Sequence, residues 1–126
     1  NIEDNVQVWK NRWIEICQLG EERNFDVIIA IPPFLGAGNK TPSNWEFQNL
    51  EKLSHTSIVP SYHLVKDSLR DLDKKCAKTL DLTNTFDAVS ETIYLDLAHF
   101  VDAGNMLVAE ELYKSSLPII NKKMGE

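Results

Sequence analysis

Apolar residues recur at three- and four-residue spacing through Val6, Val8, Trp9, Trp13, Ile16, Cys17 and Leu19. That is the period of a helix with one buried stripe, and it predicts a helix over Asp4 to Arg23. Trp9, Trp13 and Ile16 fall on its core side, where packing is the ordinary role of a large aromatic. Gly20, with polar residues after it, marks the expected end. The pattern then changes. Phe25-Asp-Val-Ile-Ile-Ala-Ile31 is a short run, apolar apart from Asp26, rich in β-branched residues and stopped by Pro32 and Pro33. Such a run reads as a strand covered on both faces, as central parallel strands are. The segment from Pro32 to Pro42, which carries Gly36 and Gly38, becomes the loop at the carboxyl end of that strand, where open α/β sheets place ligand sites.

Ser43-Asn-Trp-Glu46 is a capping box and predicts a short helix from Asn44 to about Leu53. From Ser61 the residues Leu64, Val65, Ser68, Leu69 and Leu72 form the stripe of a further helix, whose charged residues alternate in sign on the solvated face. Lys78 to Leu82 is a second strand candidate, less apolar and so nearer an edge. Asp87 to Glu91 reads as a turn or short helix. The last helix begins near Asp102, whose carboxylate is placed to cap its first turn. Leu107, Val108, Leu112, Ile119 and Ile120 supply its apolar face, and Pro118 kinks or ends its regular part.

Chemistry concentrates in Tyr94-Leu-Asp-Leu-Ala-His-Phe-Val-Asp-Ala-Gly-Asn105. Asp96 precedes His99 by three residues, so in a turn the two side chains converge. The carboxylate then accepts the hydrogen bond of one ring nitrogen and leaves the other to take a proton. A nucleophile is the missing third part. None of the eight serines lies at a sharp strand-to-helix turn: Ser43 reads as a cap, Ser68 as part of a helix stripe, and Ser115 and Ser116 lie far along the last helix. His55 and His63 flank Pro60 with no acid beside them and read as surface residues. Cys17 and Cys76 lack zinc-like or Cys-x-x-Cys spacing. They read as interior thiols, with a disulfide between them as the alternative.

Asp-x-x-His followed by Asp-Ala-Gly-Asn and then Val108-Ala-Glu-Glu-Leu112 resembles the last block of the SGNH hydrolases, the GDSL esterases and lipases. In that family the nucleophilic serine comes earlier, in a Gly-Asp-Ser motif, and neither that motif nor Gly-x-Asn-Asp occurs here. The resemblance therefore implies that residues 1–126 are the C-terminal half of a single SGNH-hydrolase-like domain. The implied fold is α/β: part of a three-layer α/β/α, flavodoxin-like parallel sheet with its first half missing. It also implies that Asp96 and His99 are the catalytic acid and base of an esterase whose serine lies outside this chain. The substrate would be a carboxylic ester, whether a small molecule, an acetylated carbohydrate or a lipid. The partner would be the missing N-terminal half or another chain.

Charge and composition narrow the alternatives. A net charge of −6 without a Lys/Arg cluster argues against nucleic acid as a partner. No run approaches the roughly 20 apolar residues of a membrane span. The loop Phe34-Leu-Gly-Ala-Gly-Asn-Lys-Thr41 lacks the Walker spacing. It reads as a turn or a substrate-bordering loop, in which Asn39 and Lys40 are the polar side chains best able to meet a substrate. Asp96 and His99 lack further ligands at metal spacing, and neither a metal nor a cofactor is expected. The rival to an esterase is a non-catalytic interaction module, or an inactive hydrolase remnant, that uses an exposed sheet edge or the Pro32 to Pro42 loop.

Overall fold

The computed structural model describes residues 1–53 and 56–125. In chain order the elements are α1 (Ile2–Arg23), β1 (Ile28–Ile31), α2 (Asn44–Glu51), α3 (Ile58–Asp73), β2 (Lys78–Asp81) and α4 (Asp102–Met124). The start of α1 lies ahead of its apolar stripe because Asn1 caps it: its side chain accepts the Asp4 N–H at 2.9 Å. Gly20 does not end the helix. It is buried where the chain turns back, and a Cβ there would lie 2.7 Å from the Phe25 carbonyl oxygen. The terminus is instead Asn24, in the left-handed region at φ 59°.

Strands β1 and β2 pair in parallel, with Ile28 opposite Lys78 and Ile31 opposite Asp81, and α3 lies in the connection between them. One core cluster joins Cys17 of α1, Ile29 and Ile31 of β1, and Leu69 and Leu72 of α3, with Trp9, Trp13 and Tyr62 packed against it. Both tryptophans thus pack as their spacing predicts, whereas Ile16 is 39% exposed. The cysteines are not free thiols. Cys17 and Cys76 form a disulfide across a sequence separation of 59, a closure that restricts the unfolded chain by an entropy of about 4 kcal/mol. A thiol nucleophile is thereby excluded.

A second cluster, of Leu35, Phe86, Ile93 and Tyr94, is covered by Phe100, Val101, Leu107 and Val108, and it seats the first turns of α4. Gly104 makes this seating possible, since a Cβ there would lie 2.7 Å from that of Phe100 and 3.0 Å from Ile93. It is the one residue of α4 that is buried. The N-cap of α4 is Val101 and makes no side-chain cap bond, so Asp102 is not the cap its position suggested. Pro118 lies inside the helix and does not end it. Among the described residues no helix is long and apolar enough to cross a membrane.

The expected three-layer α/β/α, flavodoxin-like parallel sheet is not what the chain forms. Among the described residues it folds as a small, mostly helical domain with four helices and a single two-stranded parallel sheet. Only two segments carry a strand-forming run. The remaining apolar residues follow a helical period or sit in the Pro32 to Pro42 loop and the turns between Leu82 and Val101, where they pack as side chains without joining the ladder. The two faces of β1 are nevertheless unequal along the strand: Ile29 and Ile31 are buried, and Ile28 and Ala30 are partly exposed.

Candidate active site

The segment from Ile93 to Val101 is a closed loop on an aromatic base. Tyr94 and Phe100 form an isolated antiparallel bridge, the Leu95 N–H donates to the His99 carbonyl at 2.8 Å, and the Val101 N–H donates to the Ile93 carbonyl at 2.9 Å. Beneath them the rings of Phe86, Tyr94 and Phe100 meet edge to face with centroids 5.0 to 5.6 Å apart, a favoured arrangement for aromatic quadrupoles. The loop is tied to the exit of β1, where the Leu35 N–H donates to the Leu97 carbonyl at 2.9 Å.

Within this loop the structure brings Asp96 and His99 together. Asp96 Oδ2 lies 2.8 Å from His99 Nδ1. Its other oxygen, Oδ1, accepts the N–H groups of Ala98 and His99, each at 2.8 Å. Those two main-chain bonds and then the imidazole lower the carboxyl from its ordinary 3.8 to about 2, since each stabilises the anion. An ionised Asp96 accepts only, so the ring nitrogen facing it carries the hydrogen. Nε2 is then left as a base. Among the described residues it has no hydrogen-bond partner, and the His99 side chain is 79% exposed.

Among the described residues no hydroxyl is hydrogen-bonded to that nitrogen. Ser61 and Ser68 donate to the carbonyls of Ser57 and Leu64 in their own helix. Ser116 donates to Tyr113 in the same way. Ser43 accepts the Glu46 N–H and also the hydroxyl of Thr92, the latter at 2.7 Å. Ser54 and His55 lie outside the described residues, and His63 is exposed on α3. Burial, and then the neighbouring Glu46 anion, push the Tyr94 phenol upward, so it stays protonated.

The two expected substrate contacts are engaged elsewhere. Asn39 donates to Asp87 from its main chain at 2.8 Å and from its side chain at 3.4 Å. The Lys40 side chain is only 5% exposed and pairs with Glu46 at 2.7 Å, which takes its ammonium out of reach of a ligand. Among the described residues neither side chain bonds to Asp96 or His99.

Glu46 carries more than its capping role. Its Oε2 accepts the Ser43 N–H at 2.8 Å besides Lys40, and its Oε1 accepts the N–H groups of Ile93 and Tyr94 at 2.9 and 3.1 Å. The residue is fully buried. Burial works against its charge, but the bonds from Lys40, Ser43, Ile93 and Tyr94 together outweigh it and bring the carboxyl from 4.5 down to about 2. The capping box shows in the sequence, whereas the reach to residues 93 and 94 has no local signature. No protein-family model, curated protein or solved structure matches this chain.

Proposed function

We propose that Asp96 and His99 are the acid–base half of an ester-hydrolase site of the SGNH type, completed by a serine on polypeptide outside these 126 residues. The observation that carries the reading is the 2.8 Å contact between Asp96 Oδ2 and His99 Nδ1. It orients the ring so that Nε2 can take the proton of an attacking hydroxyl and later return it to the leaving alcohol. Asp96 steadies the imidazolium that forms in between. That loop carries the Asp-x-x-His residues, and the first turn of α4 carries the Gly-Asn pair, on which the resemblance to that family rests. The 56% exposure of Asp96 fits a pair that lacks its cover: water competes for the carboxylate until another segment closes over it.

Hydrolysis of a short p-nitrophenyl ester by the complete parent polypeptide tests this. His99→Ala is expected to lower kcat/KM by roughly three to five orders of magnitude, as removal of a general base does in serine hydrolases. The 126-residue chain by itself is expected to be inactive. Equal activity with and without His99 would reject the reading.

One observation favours a second reading, an interaction module. The carbonyls of Val27 and Ile31 accept from the β2 side, so in a parallel ladder the main-chain groups of Ile28 and Ala30 face the other way. Among the described residues that edge has no strand partner. Beside it runs an apolar groove of about 550 Å³ lined by Trp9, Trp13, Ile58, Tyr62 and Val65. An unpaired edge of this kind is a template for an extended segment. A parent protein with no esterase activity, in which Ala30→Pro abolishes a specific association, would favour this reading over the first.

A further inference from the structure

We infer that Glu46 is the positioning residue of the Asp96–His99 loop, acting through the main chain at the loop's stem. This rests on the acid–base reading of that pair. Glu46 does not touch His99. It holds the N–H groups of Ile93 and Tyr94 from the side opposite the loop tip, and Tyr94 is the residue whose bridge to Phe100 closes the loop. Four donors converge on its two oxygens: two from the stem of the loop, one from Ser43 and one from Lys40. Only a carboxylate can accept all four. An amide has a single acceptor oxygen, so a glutamine must turn its NH₂ toward one of the donor pairs. Lys40 neutralises the anion inside a dry setting, with both side chains at or below 5% exposure.

The consequence is a chain of contacts from the helix that follows the Pro32 to Pro42 loop to the ring of His99. Ser43 and Glu46 fix the start of α2, Glu46 fixes Ile93 and Tyr94, and the Tyr94–Phe100 bridge fixes the span in which Asp96 meets the imidazole. With the stem released, the loop loses the register that keeps Asp96 Oδ2 against Nδ1, and the ring samples both tautomers.

Three forms of the 126-residue chain test this: wild type, Lys40→Met, and the double variant Lys40→Met with Glu46→Met, which removes every acceptor for the stem N–H groups, leaves no buried charge unpaired and so guards against simple unfolding. The readouts are ¹⁵N shifts of the His99 ring and amide exchange. In the wild type the ring is expected as the Nδ1–H tautomer. In the double variant, exchange at Ile93, Tyr94, Leu95 and His99 is expected to rise by about tenfold or more, the loss of roughly one buried hydrogen bond. Leu69 and Leu72 in α3 should keep wild-type rates, and the ring should give mixed tautomers. Lys40→Met alone keeps the carboxylate but leaves it buried and unpaired, so it is expected to lose global stability and, in its folded fraction, to keep the wild-type ring tautomer. Wild-type exchange and tautomer in the double variant would overturn the inference, and so would a uniform acceleration at every amide, which would mean that Glu46 supports only the fold. A wild-type ring in the opposite tautomer would defeat the Asp96–His99 reading instead. The exchange rates, which do not depend on it, would then judge the Glu46 hold by themselves.

Discussion

Lys40–Glu46 and Asp96–His99 are both pairs of a carboxylate with a basic side chain, and they grip the two ends of one short segment. In each the carboxyl falls to about 2 and main-chain N–H groups help to hold the anion. Exposure separates them. The side chains of the first pair are 5% and 0% exposed, and those of the second are 79% and 56%. A charge pair sealed from water is fixed, because moving either partner leaves the other buried and unpaired. A pair in water can exchange protons with what approaches it. The same chemistry thus makes a strut in one place and a candidate reactive group a few residues away.

The largest effect that sharpens this contrast is on stability. Glu46→Ala strands the Lys40 ammonium and three main-chain donors, those of Ser43, Ile93 and Tyr94, and is expected to cost about 3–5 kcal/mol, read from urea unfolding. Asp96→Ala is expected to shift the same midpoint far less, because water reaches every group it leaves behind. Equal shifts would break the distinction between strut and reactive pair.

Next in size comes a region that belongs to neither pair. Replacing Cys17 and Cys76 with alanine removes the closure between α1 and the segment ahead of β2. It is expected to cost about 2–4 kcal/mol. The staple does not touch the loop, so the ring tautomer of His99 should survive in the folded fraction, measured by its ¹⁵N shifts. A tautomer that changed with the disulfide would tie the loop to the α1 end of the molecule.

How much of this is legible along the chain depends on separation in sequence. Asp96 and His99 meet across three residues, and Ser43 and Glu46 likewise, so spacing alone exposes both. The second oxygen of Glu46 answers donors 47 and 48 residues away, and the disulfide spans 59. No local period encodes either. Helical stripes were legible because Leu69 and Leu72 repeat on one face, and β1 because its run has no polar interruption. The extent of the sheet was not: the apolar run reads as covered on both faces, yet Ile28 and Ala30 stay partly exposed on one of them. Here α1 and α3 bury Ile29 and Ile31 without a third strand. Lys40 is hard to place for a related reason: a lysine in a glycine-containing loop looks free until its partner, six residues on, is seen to be buried.

Acid separates the pairs more finely. Glu46 has a folded pKa depressed from 4.5 to about 2, so its contribution is complete above pH 4.5 and is lost as the pH falls toward 2. Asp96, depressed from 3.8 to about 2, acts with the same sign over a lower window. Its share is smaller because solvent screens it. Stability measured between pH 5 and pH 2 is therefore expected to fall, and the Lys40→Met/Glu46→Met variant to fall less steeply. An unchanged slope in that variant would mean that other carboxylates govern the acid limb.

The smallest effect is expected at the residue on which the proposed chemistry depends most. His99→Ala should change stability by about 0.5 kcal/mol or less, as exposed substitutions away from buried networks do. The ring's one hydrogen bond is to an oxygen that water can reach, and Oδ1 of Asp96 keeps its two main-chain donors. The loop amides of Ala98 and His99 should exchange at wild-type rates in this variant. Asp96→Asn is a finer probe, since the amide keeps one oxygen for those donors but offers an N–H to the ring. The opposite tautomer then becomes favoured, with Nε2 carrying the hydrogen and no longer able to accept one. A folded loop with a reversed ring and no esterase activity in the parent polypeptide would separate what holds the site in place from what the site does.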